Sequence, residues 1–143
     1  MTIGLQNFII QKARQMAPAK HKVVINLCSN NIRNDGEYPE ELLAFFKEIA
    51  EELGTIPNCH LVLVPLVPSF ARDEELKNEF WRLQQHFQAM AKLYPHVSWC
   101  NWVRQLYSNG ELDPQHYEDD VHLSQSGAVI FTNAIIKHLS YLP

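Results

Sequence analysis

A carboxylate and an imidazole stand three residues apart near the carboxyl end of the chain. Asp119 and His122 lead directly into an apolar stretch with helical spacing. At this spacing the carboxylate can accept a hydrogen bond from one ring nitrogen of His122, which fixes the tautomer and leaves the other nitrogen as a general base. The pattern indicates acid–base chemistry directed at a nucleophile. A loop whose polar side chains merely cap the following helix would have the same sequence.

An amide side chain and a glycine could complete such a site. Asn30 lies in the segment Cys28-Ser29-Asn30-Asn31, which follows a β-branched run. An amide N–H at this position can stabilise an oxyanion. Asn is also common where a strand enters a loop, so ordinary turn chemistry stays open. Gly4 precedes an apolar helix, where a backbone N–H can approach a ligand because no Cβ intervenes.

Other chemistries would use the same part of the sequence. Imidazole and carboxylate are metal ligands, and four such residues occur together: His116, Asp119, Asp120 and His122. Because they belong to one loop without a distant partner, we expect no metal and no cofactor. A Cys28 thiol activated by His122 is a further alternative, although a cysteine at a strand end is more often a small buried hydrophobe. Ser29 is no better a nucleophile.

The positions of the apolar residues predict helices that alternate with short strands. Helices are predicted over 3–16, 39–53, 76–93 and 128–139, and strands over 23–28, 61–64 and 97–100. Such alternation implies a parallel sheet with right-handed crossovers, hence a three-layer α/β/α, flavodoxin-like fold. Functional residues then collect beyond the carboxyl ends of the strands. The candidate regions are therefore 28–34, 65–72 and the loop leading to His122.

Length and composition exclude several classes of protein. The 143 residues, 46% apolar and 20% charged, predict a single folded domain over 1–143 rather than a disordered chain. A net charge of −4 disfavours broad attraction to nucleic acid or anionic membranes. Three widely spaced cysteines and the lack of a secretory signal or apolar span predict a cytoplasmic or other intracellular protein without a membrane partner.

These spacings resemble the SGNH, or GDSL-type, hydrolase family. In that family a strand ends in Gly-x-Asn-Asp, and a last loop carries Asp-x-x-His-Leu before the final helix. The residues of this chain that stand on those motifs are Cys28, Asn30 and Asn31 at the strand end, and Asp119, His122 and Leu123 in the last loop. Cys28 replaces the family's Gly and Asn31 replaces its Asp. Gly4 suits the family's Gly block.

The resemblance implies an acyl-ester hydrolase with a small-molecule ester as substrate. A serine would attack the ester, His122 oriented by Asp119 would take its proton, and Asn30 with the N–H of Gly4 would stabilise the oxyanion. The family's nucleophile lies in a Gly-Asp-Ser segment, and this sequence contains none. The chain thus resembles the C-terminal portion of the family, without its first strands. We therefore expect a catalytically incomplete serine esterase, or pseudoenzyme.

The resemblance also leaves a second function open. SGNH-like domains that have lost catalytic residues serve as RNA-binding or protein-binding modules. A local basic strip could bind nucleic acid despite the overall charge, and it would consist of Lys12, Arg14, Lys20, Lys22 and Arg33. Without the family's first strands, the strand Val23–Leu27 would have an unpaired edge, and exposed edges recruit partners. We therefore expect a homodimer, formed either through that strand or through a helix that covers it.

Overall fold

A parallel sheet forms the centre of the computed structural model, which describes residues 3–26, 39–65, 67–68, 74–120 and 122–142. The strands are β1 (His21–Ile25), β2 (Cys59–Leu63) and β3 (Val97–Trp99). They lie in the order β1-β2-β3, with Val23 beside Leu61 and Leu61 beside Val97. The predicted parallel pairing is confirmed.

The helices lie where the apolar spacing predicts them. They are α1 (Ile3–Met16), α2 (Pro39–Leu53), α3 (Glu74–Leu93) and α4 (Gln125–Ser140). Pro39 suits the first position of α2 because its missing N–H would have no partner there. Ser124 caps α4, since its Oγ accepts the backbone N–H of Gly127. No helix in the described part of the chain is long and apolar enough to span a bilayer.

Alternating side chains of β2 divide the core into two halves. Leu61 and Leu63 are buried with α1, α2 and α3 on one face, whereas Val62 and Val64 are buried with α4 on the other. Period-two alternation along a strand requires this division. The result is the expected three-layer α/β/α arrangement, with each face of β2 fully covered.

The prediction of a fully buried first strand is wrong. The run 23–28 predicts burial throughout, but β1 begins at His21, ends at Ile25 and alternates between buried and exposed residues. Val24 is 43% exposed. The physical reason is that, among the described residues, the cluster under α4 takes its sheet residues from β2 and from the segment after β3, not from β1. Leu27 and Cys28 lie outside the described residues.

A small hairpin follows β3, in a region that the sequence analysis treats as loop. Its strands are β4 (Tyr107–Ser108) and β5 (Glu111–Leu112), paired antiparallel. Asn109 and Gly110 connect them with φ of 53° and 82°, the left-handed conformations that a two-residue hairpin turn requires. Before the hairpin, Trp102 is fully buried and its indole N–H donates to the Pro65 carbonyl at 2.6 Å.

Candidate functional site

The segment between β5 and α4 folds into a small closed loop. Tyr117 and Leu123 form an isolated antiparallel bridge, and the N–H of Glu118 donates to the His122 carbonyl at 2.8 Å. These two contacts bring the ends of the segment 117–123 together. The residues between them must therefore turn tightly, which places the Asp119 side chain beside His122.

Asp119 holds His122 through both of its carboxylate oxygens. Oδ1 accepts the backbone N–H of His122 at 2.7 Å, and Oδ2 lies 2.7 Å from the ring Nδ1. Since a carboxylate can only accept, Nδ1 carries the proton. The neutral ring then has its lone pair on Nε2, which is the nitrogen that a general base needs.

The pair lies at the surface. The His122 side chain is 70% exposed and that of Asp119 is 55% exposed. The contact spans only three residues, so the loop by itself can form it. In this geometry the imidazole can accept a proton from a group that approaches from solvent, but the described residues do not enclose it.

A hydroxyl network anchors the base of the loop on the first turn of α4. Ser124 and Ser126 both donate to the Gln115 carbonyl, at 2.6 and 3.0 Å. His116 Nδ1 lies 2.9 Å from Ser126 Oγ, so His116 contacts a hydroxyl rather than Asp119. Within the described residues, no group of three or more His, Cys, Asp or Glu side chains is placed to hold a metal ion.

Gly127 makes this anchoring possible. A Cβ at this position would collide with the backbone oxygen of His116. The close approach lets Ser124 donate its N–H to that oxygen at 2.9 Å while its own Oγ caps the helix. The sequence analysis did not assign this glycine a role, although a glycine two residues inside a helix is itself a signal of close backbone approach.

Tyr117 connects two of the regions that the sequence analysis selects. Its hydroxyl donates to the Pro68 carbonyl at 2.7 Å, so the loop after β2 is tied to the loop of His122. Burial raises the pKa of the Tyr117 phenol, which keeps it protonated as a donor. Sequence reasoning missed Tyr117, because nothing local indicates a contact that spans so many residues.

Solved structures with similar folds include a GDSL-like lipase from Bacteroides thetaiotaomicron. It matches with a TM-score of 0.67 and 20% identity, over 94% of this chain and 70% of the lipase. The inhibitor-bound aryl esterase of M. smegmatis matches with a TM-score of 0.70 and 13% identity, over 96% of this chain and 68% of the esterase. The OSK domain of Drosophila Oskar has a TM-score of 0.70 and 16% identity, over 92% and 70% respectively.

This chain has a GDSL-like hydrolase fold. No protein-family model matches its sequence, and no curated protein does either. The structural likeness agrees with the fold that the resemblance implies, at an identity too low to carry over residue roles.

Within the GDSL-like fold, the predicted site residues have different outcomes. Asp119 and His122 are brought together as predicted. The prediction that Gly4 precedes the helix is wrong, because α1 begins at Ile3 and Gly4 lies in its first turn. Since α1 leads into β1 through a short turn, we infer that this end of the helix lies toward the carboxyl edge of the sheet. Asn30 lies outside the described residues, as does the rest of the segment 28–31. Its role as an oxyanion donor stays a prediction.

Proposed function

We propose that this chain is a GDSL-type acyl-ester hydrolase-like domain that retains its base and orienting acid but is catalytically incomplete. His122 acts as the base and Asp119 as its positioning residue. The observation that carries the proposal is the 2.7 Å contact between Asp119 Oδ2 and His122 Nδ1, which leaves Nε2 available. Asn30 and the N–H of Gly4 would supply the oxyanion contacts.

The incompleteness concerns the nucleophile. The sequence contains no Gly-Asp-Ser segment. The serines nearest to His122 in the described loop, Ser124 and Ser126, donate their hydroxyls to the Gln115 carbonyl. A hydroxyl committed in this way has no proton to give to His122, so the base has no partner to activate among these residues.

The geometry of the base is tested by ¹⁵N NMR of the histidine side chains above neutral pH. We expect the Nδ1–H tautomer for His122, because the carboxylate stabilises a proton on Nδ1. In Asp119→Ala the ring should revert to the Nε2–H form that free imidazole side chains prefer. An Nε2–H tautomer in the unmodified protein would contradict the assignment of His122 as base.

The incompleteness is tested with a short-chain p-nitrophenyl ester. We expect the same slow release of nitrophenol from the unmodified chain, from His122→Ala and from the matched control His86→Ala. The control shows how much nitrophenol release is lost when an imidazole outside the proposed site is removed. Saturable turnover that disappears in His122→Ala and persists in His86→Ala would show a working nucleophile and overturn the proposed incompleteness.

A non-catalytic binding module is the alternative, and the OSK domain of Drosophila Oskar is a similar structure that is not named as a hydrolase. The basic strip that would bind nucleic acid is only partly free, since Arg14 pairs with Glu52 at 3.3 Å. Lys12, Lys20 and Lys22 are exposed. A gel shift with single-stranded RNA tests this alternative. Binding that weakens steeply with salt supports it, and absent or salt-insensitive binding contradicts it.

We also propose that two copies associate through the edge of β1 that pairs with no strand in the described part of the chain. The N–H of His21 donates to Asn58 and the carbonyl of Ile25 accepts from Val64, so alternate residues from 21 to 25 face β2. The backbone groups of Lys22 and Val24 therefore point away from the sheet. An antiparallel second copy that sets Lys22 opposite Val24 of the partner subunit would pair these groups and keep the lysines apart.

Light scattering tests this association. We expect a dimer for the unmodified chain and a monomer for Val24→Lys, because in this register the new lysine would lie directly opposite Lys22 of the partner subunit, and like charges directly opposite one another destabilise an antiparallel pair. Ile136→Lys is the matched control, since Ile136 is also exposed, at 60%, but lies on α4. A monodisperse monomer of the unmodified chain at high concentration would contradict the proposal.

A further inference from the structure

A cleft lies between α3, the end of β3 and the β4–β5 hairpin. Its volume is about 490 Å³, within the range of roughly 300–1,000 Å³ that is typical of small-molecule sites. Side chains of three kinds line it: the aromatic rings of Trp81, Trp99 and Tyr107, the amides of Gln84, Gln85, Gln88 and Asn101, and the guanidinium of Arg104. Asp119 and His122 do not line this cleft.

The aromatic walls are held in place by contacts with one another and with an amide. The rings of Trp81 and Tyr107 lie 5.7 Å apart at an interplanar angle of 50°. The indole N–H of Trp99 donates to Gln84 Oε1 at 3.3 Å, and Gln84 is only 4% exposed. Trp81 keeps 38% of its surface exposed. The cleft therefore offers flat apolar surfaces whose orientation is fixed before a ligand arrives.

The described residues of α3 that line the cleft are uncharged. Trp81, Gln84, Gln85 and Gln88 share one face of α3 by their helical spacing, and none of them carries a charge. Among the described residues that line the cleft, Arg104 is the one charged group, and it is exposed. Among the lining residues that the structure describes, an anion would meet a guanidinium and no carboxylate, which favours carboxylate or phosphate groups.

We propose that this cleft binds a planar heteroaromatic ring that carries an anionic group. The ring stacks against the exposed aromatic surface of the cleft, as unstacked bases do on aromatic side chains in other proteins. The amides of Gln85, Gln88 and Asn101 hydrogen-bond the polar edge of the ring, and Arg104 binds the anion. This site is separate from the proposed hydrolase site and does not depend on it.

Tryptophan fluorescence reports directly on the cleft. Two of the three tryptophans line it, and the third, Trp102, is fully buried in the other half of the core. Two matched pairs of probes distinguish the source of the anion: adenosine monophosphate against adenosine, and nicotinate against nicotinamide. We expect one of the anions to quench the fluorescence saturably, with an affinity about tenfold or more above that of its neutral counterpart.

Three variants assign the effect to residues. Arg104→Gln should abolish the preference for the anion, whereas Arg82→Gln, on an exposed part of the same cleft-forming helix, should keep it. Trp81→Ala should abolish binding and Trp81→Phe should retain it, which separates loss of the ring from loss of the fold. His122→Ala should leave binding unchanged, so failure of the hydrolase proposal does not affect this one.

Two results would overturn the proposal. One is the lack of saturable quenching by either anion up to about 10 mM, a concentration at which even millimolar affinity is visible. The other is an anion preference that persists in Arg104→Gln. If adenosine monophosphate binds and nicotinate does not, the ligand belongs to the phosphate-bearing rings, and the reverse result assigns it to the aromatic carboxylates.

Discussion

Two sites in this fold hold histidine side chains through different hydrogen bonds: one contains His122, and the other contains His60 and His138. On the loop before α4, His122 is exposed and faces a carboxylate. On the sheet face under α4, Ser98 Oγ lies 3.1 Å from His60 Nε2 and 2.7 Å from His138 Nε2. Because a hydroxyl has one proton, at most one of these two rings can accept from Ser98, and at least one of them must donate to it.

The difference shows how environment determines what an imidazole can do. Burial lowers the pKa of His60 and His138, and for His60 the nearby His96, His138 and Lys22 lower it further. Both rings are thus kept neutral and joined as a structural link between β2, β3 and α4. His122 has a fixed tautomer and an open nitrogen, so it is suited to chemistry instead.

The largest effect on stability should come from breaking the half-buried link through Ser98. Ser98→Val leaves ring nitrogens of two half-buried histidines without their partner, at a cost of about 1–3 kcal/mol. Urea denaturation measures this cost. The control Ser108→Val, at an exposed serine of the hairpin, should stay within about 0.5 kcal/mol of the unmodified chain. Equal losses of stability in Ser98→Val and Ser108→Val would show that the link through Ser98 has no special role in stability.

A smaller effect should appear in the pH dependence of stability. His60 and His138 have lowered pKa values in the fold and ordinary values near 6.5 when unfolded. Below about pH 6.5 the unfolded chain therefore binds more protons, and stability falls as the pH falls toward the folded pKa values. His60→Gln should make this decline shallower in denaturation curves between about pH 8 and pH 5. An unchanged slope would contradict the neutral state assigned to His60.

The smallest effect on stability should come from the exposed pair. Asp119→Ala removes the two contacts that this exposed carboxylate makes with His122, and surface pairs of this kind contribute about 0–1 kcal/mol. The midpoint of urea denaturation should therefore barely change, even though the His122 tautomer changes. A loss of stability as large as that of Ser98→Val would show that the loop supports the core. It would also weaken the contrast between Asp119–His122 and the half-buried link through Ser98.

Local sequence signals predicted most of the elements correctly. The helix that begins at Pro39 and the strand around Leu61 follow from capping and β-branched runs, which act over a few residues. The link between Asp119 and His122 was also predictable, because both partners lie in one short loop. The Asn109-Gly110 hairpin carried a local signal as well, but the sequence analysis did not use it.

Contacts between distant residues were not predictable. Ser98, Tyr117 and Trp102 each bond to an atom that lies far away along the chain, on another strand, helix or loop. Nothing in their immediate sequence indicates those partners, since the contacts exist only once distant elements and loops have packed together. For the same reason the exposure of Val24 was missed: a β-branched run predicts a strand, but not which face receives a helix.

The amino-acid order alone determined the alternation of helices and strands and the pairing of Asp119 with His122, because these depend on spacing within a few turns. The tertiary structure decided which histidines are buried, how loops are tied together and where an aromatic cleft opens. Those properties depend on which surfaces meet after folding, and burial in turn controls the pKa and the hydrogen-bonding partner of each polar group.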